Sequence, residues 1–235
     1  MNKSTSLQEE LLQLENKQYA SFAKTFFKVK PIDNAGHQFL GIRVPQLRVL
    51  AKKYETMSLE QISTLLNADF NEMRSLGLFI LVRQYQKAAP DQKKSFYDFY
   101  IAHMPHINNW NLVDASAPYI VGHYLADKDK KILLQWAQSP HLWTRRIAIV
   151  STLYFIRQND LTPTLEISEQ LLNDDQDLMH KAVGWMLREV GKKNINVLKQ
   201  FIAQHYSSIP RTTLRYAIER FSPQERKKQL QGNIV

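Results

Sequence analysis

The stretch INNWNLVDASAP, residues 107–118, places a wide aromatic side chain and a carboxylate at a spacing that suits chemistry. If Asn108 or Asn109 caps a helix here, Trp110 and Asp114 are four residues apart and lie on one face. A carboxylate can stabilise positive charge in a substrate or orient an attacking water molecule. An indole face attracts cations, by roughly 0.5 to 2 kcal/mol depending on desolvation. The pair therefore predicts a site for a positively charged group.

The chain carries an excess of positive charge, which makes the acid Asp114 unusual as a site residue. Its 235 residues include 31 Lys and Arg and 22 Asp and Glu, for a formal net charge of +9. This excess favours a polyanionic partner such as a nucleic acid, although an ordinary basic soluble protein has a similar composition. The chain contains no cysteine, which excludes disulfides, thiolate nucleophiles and cysteine-ligated metal centres.

No stretch of the sequence is typical of a membrane or export segment. The longest nearly apolar run, residues 147–156 (IAIVSTLYFI), has about half the length that crosses a bilayer. Acidic residues stand at positions 9 and 10, where a signal peptide would have its apolar core. We therefore expect a cytoplasmic protein with no membrane partner.

Helices dominate the predicted secondary structure. Only 7 glycines and 9 prolines occur, and apolar residues recur at spacings of three and four rather than alternating. Ser58 with Gln61 has the pattern of a capping box, and Pro45 suits a first helical position. We predict an all-α protein. Further helix starts are predicted at Asn71, at Asp91 after Pro90, and at Thr162 with Pro163.

Four stretches of the sequence align with one another: MRSLGLFILV, TRRIAIVSTL, HKAVGWMLRE and LRYAIERF. Each sets a basic residue beside an apolar stripe, at Arg74, Arg146, Lys181 and Arg215. The spacings are 72, 35 and 34 residues, so the period is near 35 if the first spans two repeats. This is typical of HEAT-like helix pairs in a superhelical array with a concave groove. We predict one α-solenoid domain over residues 1–235, with repeats from about 8 to 228; a non-repetitive helical bundle is the alternative.

The repeat missing between Arg74 and Arg146 falls on the stretch around Asp114. Asp114 lies 40 residues after Arg74 and 32 before Arg146, in the place of the basic residue. A row of cations on successive helices suits a phosphate backbone, so we predict a basic concave groove with one carboxylate in it. Ordinary surface charges, and an Asp114–Arg146 ion pair joining two repeats, are the structural alternatives. The candidate DNA contacts are Arg43, Arg74, Arg145, Arg146, Lys181, Arg188, Arg211 and Arg215.

The sequence offers no metal or cofactor motif. His103 and His106 could share a helix face, yet no third ligand has a metal-like spacing, which favours polar surface residues. No HExxH, GxSxG or GxGxxG pattern is present. We expect neither a metal nor a cofactor.

Together these motifs resemble the AlkD family of DNA alkylation repair proteins. The resemblance rests on INNWNLVDASAP, LWTRRIAIVSTLYF and HKAVGWMLREVGKK, with GIRVPQLRVLAKKY before them and PRTTLRYAIERF after. It covers residues 8 to 228, nearly the whole chain. It implies an all-helical HEAT-like array that holds duplex DNA in a basic groove. We expect a monomer that associates with the bacterial nucleoid when bound to DNA.

The resemblance also implies a reaction. It implies a monofunctional DNA glycosylase that removes cationic N3- and N7-alkylated purines, chiefly 3-methyladenine and 7-methylguanine, from duplex DNA without a lyase step. Trp110 and Trp185 match the two tryptophans that contact the damaged nucleotide. Asp114 matches the catalytic carboxylate, and Arg146 the DNA-contacting arginine beside it. The family's first helices supply a further aromatic, for which the candidates are Tyr19, Phe22, Phe26 and Phe27.

The residues alone are also compatible with two functions of other classes. A non-catalytic array that binds damaged or branched DNA, or structured RNA, needs only the basic face, with Asp114 as an ion-pair partner. A protein-interaction scaffold would expose an apolar face instead. Loss of affinity with added salt separates the nucleic-acid binders from a scaffold.

Overall fold

The computed structural model describes residues 6–27 and 38–232 of the chain. Within these ranges the only β-type contact is an isolated bridge between Gln38 and Phe70. Helices make up the rest of the regular structure, which confirms the predicted all-α, HEAT-like class. In this part of the chain no helix combines the length and the apolar character needed to cross a membrane.

The chain divides after Ser116 into two compact units. The prediction of one continuous solenoid domain over both units stays a prediction. The described helices of the first unit are α1 (Leu7–Gln13), α2 (Lys17–Phe26), α3 (Val44–Lys53), α4 (Leu59–Leu66), α5 (Asn71–Lys87), α6 (Lys93–Ala102) and α7 (Trp110–Asp114). Those of the second unit are α8 (Lys131–Ala137), α9 (Leu142–Ser151), α10 (Leu153–Arg157), α11 (Thr162–Gln170), α12 (Asp177–Lys193), α13 (Ile195–His205), α14 (Arg211–Ala217) and α15 (Pro223–Leu230).

The predicted helix starts agree with the structure to within two residues. Ser58 caps α4, and its side chain and that of Gln61 form the expected reciprocal hydrogen bonds. Pro45 is the second residue of α3 rather than the first. Asn71 is the first residue of α5, after the cap residue Phe70. A 3-10 turn at residues 90–92 precedes α6, which therefore begins two residues later than predicted.

Helix α5 is the centre of the first unit. It contacts α3, α4, α6 and α7, and most of its apolar side chains are buried. Each such side chain stabilises the fold by roughly 1.5 to 3 kcal/mol when it is fully buried. A helix packed in this way is rigid, so the segments that its polar residues bind are held in fixed positions. The buried apolar residues of α5 are Leu76, Leu78, Phe79, Ile80, Leu81 and Tyr85.

Helix α12 has the same role in the second unit, where it contacts α9, α11, α13 and α14. It lies close against α14 at Gly184. A Cβ atom on this residue would lie 2.5 Å from the Cβ of Tyr216 and 2.6 Å from the carbonyl oxygen of Thr213. The glycine is therefore needed for the approach of the two helices.

We predict that Gly184→Ala destabilises the protein by about 1 to 3 kcal/mol, because backbone must move to admit the methyl group. Urea unfolding followed by circular dichroism measures this change. Gly77→Ala is the matched control. It also lies inside a long helix, but the nearest atoms would be side-chain carbons at 3.2 Å, so a shift of a few tenths of an ångström admits the methyl group. Equal stability losses for the two variants would contradict the packing argument.

Candidate functional site

Helix α7 carries the aromatic and acidic pair that the sequence singled out. The side chain of Asn109, which is buried, accepts a hydrogen bond from the backbone N–H of Trp110 at 2.7 Å and caps the helix. Trp110 and Asp114 are the first and last residues of α7 and are both half-buried. The predicted cap and the shared helix face are thus confirmed.

Asn111 fastens α7 to α5. Its amide nitrogen donates hydrogen bonds to Oδ1 of Asn71 at 2.8 Å and to Oγ of Ser75 at 3.2 Å. Asn71 and Ser75 are 2% and 5% exposed, so these bonds lie in the interior of the unit. Asn111 stands between Trp110 and Asp114 in the helix, and the network therefore sets the direction of both. Asn111 is not among the site residues predicted from the sequence, although it lies within residues 107–118.

Two aromatic side chains from the end of α2 pack against Trp110. The ring centroids of Phe26 and Phe27 lie 5.8 Å and 5.1 Å from that of Trp110. Phe27 also stacks on Phe39 at 5.3 Å. Of the four aromatic candidates that the family resemblance left open, Phe26 and Phe27 are therefore the ones that contact α7 through Trp110.

Glu72 holds the segment before α3, and through it the start of α2. Its carboxylate accepts hydrogen bonds from the backbone N–H groups of Leu40 at 3.0 Å and Gly41 at 2.9 Å. The carbonyl of Leu40 in turn accepts from the N–H of Asn16, the cap of α2. Gly41 has a φ of 75° and lies directly against the Asn16 backbone, where no Cβ fits. Burial raises the pKa of Glu72, and the N–H groups bound to its carboxylate oppose that shift.

A buried hydroxyl pair lies just beyond α7. Ser116 donates to the carbonyl oxygen of Leu112 at 2.6 Å, so the hydroxyl of Tyr100, 3.0 Å from Ser116 Oγ, is the donor between the two. Burial raises the pKa of Tyr100, and the negative charge of Asp114 raises it further. Tyr100 therefore stays neutral and structural beside the acid.

The two basic residues predicted for the first unit differ in their surroundings. Arg74 on α5 is 6% exposed, and burial lowers its pKa to about 10 against the opposing effect of Asp69 and Glu72. Arg43, the cap residue of α3, is exposed, and its guanidinium carbon lies 5.1 Å from the centre of the Tyr19 ring. Exposure favours Arg43 over Arg74 as a group that can reach a polyanion.

In the second unit Arg145 is held inside the protein. It forms a two-pronged ion pair with Asp174, at 2.6 Å and 3.3 Å, and donates to the carbonyl oxygens of Ser139 and Pro140. The side chain of Asp174 is only 4% exposed. These contacts indicate a structural role for Arg145.

The other predicted cations of the second unit range from buried to fully exposed. Arg146 is 5% exposed and donates to the carbonyl oxygen of Leu178 at 2.7 Å. Lys181 pairs with Asp177 at 2.6 Å, and Arg188 pairs with Glu219. Trp185, four residues after Lys181 on α12, is half-buried. Arg211 and Arg215 on α14 are exposed, and Arg211 also donates to the carbonyl oxygen of Leu230.

Asp114 and Trp110 belong to the first unit, whereas Arg146 and Trp185 belong to the second. Their grouping into one site, and the Asp114–Arg146 ion pair, stay predictions. No cluster of three metal-ligating side chains occurs among the residues that the structure describes. His103 there bonds to Ser63 Oγ and to the carbonyl oxygen of Phe99, both at 2.8 Å.

The sequence model of the DNA alkylation repair enzyme family matches residues 7–221. The chain belongs to this family. It therefore has a role in the repair of alkylated DNA, with DNA as its substrate. A solved structure from Enterococcus faecalis, described as a predicted DNA alkylation repair enzyme, has a similar fold, with a TM-score of 0.69 over 89% of this chain and 97% of that one. At 16% identity this likeness shows the fold alone. No curated protein sequence matches the chain significantly.

We predict that Asn111→Ala lowers the free energy of unfolding by about 1 to 3 kcal/mol, because it leaves buried polar groups of Asn71 and Ser75 without this partner. Urea unfolding monitored by circular dichroism tests this expectation. Asn196→Ala, at an exposed position on α13, serves as the control and should change stability by less than about 0.5 kcal/mol. An Asn111 variant as stable as the control would show that the network does not hold α7.

We predict that Arg145→Ala destabilises the protein by about 3 to 5 kcal/mol, because it leaves the carboxylate of Asp174 buried without its cation. Arg215→Ala, at an exposed position, should change stability by less than about 0.5 kcal/mol and still weaken duplex binding. Thermal unfolding and fluorescence anisotropy with a labelled duplex separate these effects. A stable Arg145 variant with weakened DNA binding would overturn the structural assignment.

Proposed function

We propose that this protein is an AlkD-type monofunctional DNA glycosylase that excises cationic N3- and N7-alkylated purines, such as 3-methyladenine and 7-methylguanine, from duplex DNA. The observation that carries the proposal is the face of α7: Asp114 stands four residues from Trp110, and Phe26 and Phe27 pack on that indole. A carboxylate beside aromatic faces suits a reaction that passes through positive charge.

An alkylated purine of this kind already carries a positive charge, so its departure needs no acid. The bond between C1′ of the deoxyribose and the purine nitrogen breaks, and its electron pair neutralises the leaving base. Asp114 stabilises the positive charge that grows on the sugar. A water oxygen then bonds to C1′ and gives a proton to the Asp114 carboxylate. The reaction forms no covalent link to the protein and needs no metal or cofactor.

The aromatic side chains act on the same charged state. Trp110, and Trp185 from the second unit, would pack against the deoxyribose and favour its cationic form by roughly 0.5 to 2 kcal/mol each. The hydrogen bonds of Asn111 keep α7 oriented toward the substrate. A preoriented carboxylate needs no reorganisation at the moment of reaction, which is the source of its effect.

Phosphate binding would depend most on the exposed cations. Arg43, Arg211 and Arg215 are exposed, and Lys181 exchanges a surface ion pair for a phosphate at little cost. Arg74, Arg145, Arg146 and Arg188 stand in buried or paired surroundings, and they would shape the DNA-binding face more than contact phosphates. The enzyme would act as a cytoplasmic monomer on nucleoid DNA.

We predict that Asp114→Asn abolishes base excision, by at least about a hundredfold, while duplex affinity stays equal or rises. The amide cannot stabilise the sugar cation, but it removes a negative charge that repels phosphates. Release of free methylated bases from methylated duplex DNA measures excision, and anisotropy measures affinity.

Asp91→Asn, at an exposed acid of the first unit, is the matched control and should keep full activity. Excision retained by Asp114→Asn would move the catalytic role to another residue. No excision by the wild type, with salt-sensitive duplex binding intact, would replace the glycosylase by a non-catalytic DNA-binding protein.

A further inference from the structure

Helix α2 presents a row of aromatic rings that the proposed reaction uses only at one end. Tyr19, Phe22 and Phe26, at positions i, i+3 and i+7, form this α2 aromatic row. Phe22 and Phe26 are 56% and 54% exposed, and Tyr19 is half-buried. Phe26 reaches Trp110, so the row extends outward from α7. Exposed phenyl rings on a helix are costly in water unless a partner covers them.

The spacing of the rings limits how a planar partner can contact them. The ring centroids of Tyr19 and Phe22, and of Phe22 and Phe26, are both 5.7 Å apart, with interplanar angles of 29° and 21°. Insertion of a base between two rings would need about 6.8 Å, twice the stacking distance of about 3.4 Å. A base must therefore lie across the exposed edges and outer ring faces, as aromatic groups do in edge-to-face contacts.

The surroundings of the row favour a polyanionic partner. The sequence of α2, KQYASFAKTF, contains no acid, and its exposed Lys17 and Lys24 lie two residues from the nearest rings, on the other side of the helix. Arg43 lies over the Tyr19 ring, at the end of the row away from Trp110. Aromatic rings beside a cation suit single-stranded nucleic acids, because a phosphate pairs with the cation while base faces lie on the rings. Bases inside a duplex present only their edges in the grooves.

We propose that the α2 aromatic row binds unpaired nucleobases of the DNA strand that runs past α7, with Arg43 bound to one of its phosphates. This surface goes beyond the proposed glycosylase reaction, because it needs no chemistry at Asp114 and uses a row of rings where the family resemblance implies a single further aromatic. Its consequence is a second substrate class: single-stranded, gapped or mismatched DNA binds by contacts that a fully paired duplex does not make.

Fluorescence anisotropy with two labelled probes tests this surface. One probe is an oligothymidylate of about 12 nucleotides, within the usual range of single-strand site sizes, and the other is a fully paired duplex of the same length. Phe22→Ala should weaken oligothymidylate binding on the order of tenfold and change duplex binding by less than about twofold. Phe22→Leu, which keeps apolar area but no ring, should show the same loss, and Phe22→Trp should restore binding.

Val49→Ala is the control for general loss of apolar surface, because Val49 on α3 is 68% exposed and aliphatic. It should leave both affinities unchanged. The proposal is overturned by a wild type that binds no oligothymidylate, by equal losses on both probes, or by equal losses for Phe22→Ala and Val49→Ala. If Phe22→Ala weakened binding only to anionic phospholipid vesicles, the row would be a membrane-binding surface instead. These binding measurements do not depend on base excision. A protein that excises no base but shows the expected binding losses would contradict the glycosylase proposal and still support this surface.

Discussion

The buried polar contacts of the first turn of α5 are the interactions on which the candidate site depends. Asn71 and Ser75 bind Asn111 and hold α7, while Glu72 binds the backbone ahead of α3 and thereby the start of α2. Asp114 and the aromatic side chains that pack on Trp110 are thus held by one helix, most of whose apolar side chains lie in the core. Buried polar groups are costly unless they are fully bonded, so a satisfied network of this kind selects one arrangement of its neighbours.

This dependence follows from the length of α7. A helix of five residues cannot be stable by itself, because its few hydrogen bonds do not offset the unfavourable free energy of helix nucleation. The direction of Asp114 is therefore a tertiary property, set by the cap at Asn109 and the amide of Asn111. The proposed chemistry needs a carboxylate held still before the substrate arrives, and the structure supplies that condition from outside the helix.

Local signals explain what could be predicted from the sequence. The cap at Asn109, the capping box at Ser58 and the all-α class each depend on residues a few positions apart. The hydrogen bonds of Glu72 and Asn111 join residues 31 to 40 positions apart, and no local sequence pattern predicts such pairs. The same limit applies to the cations. Arg146 and Arg215 take equivalent places in the aligned stretches, yet Arg146 is 5% exposed while Arg215 faces solvent.

The packing of Phe26 and Phe27 on Trp110 gives the first unit an optical reporter. The sequence has four tryptophans, at positions 110, 136, 143 and 185, and only Trp110 precedes the division at Ser116. Its emission therefore depends on the aromatic neighbours and partial burial that shape the α7 site. In a variant whose other three tryptophans are replaced by phenylalanine, the fluorescence of Trp110 would report the binding of a DNA strand at α7.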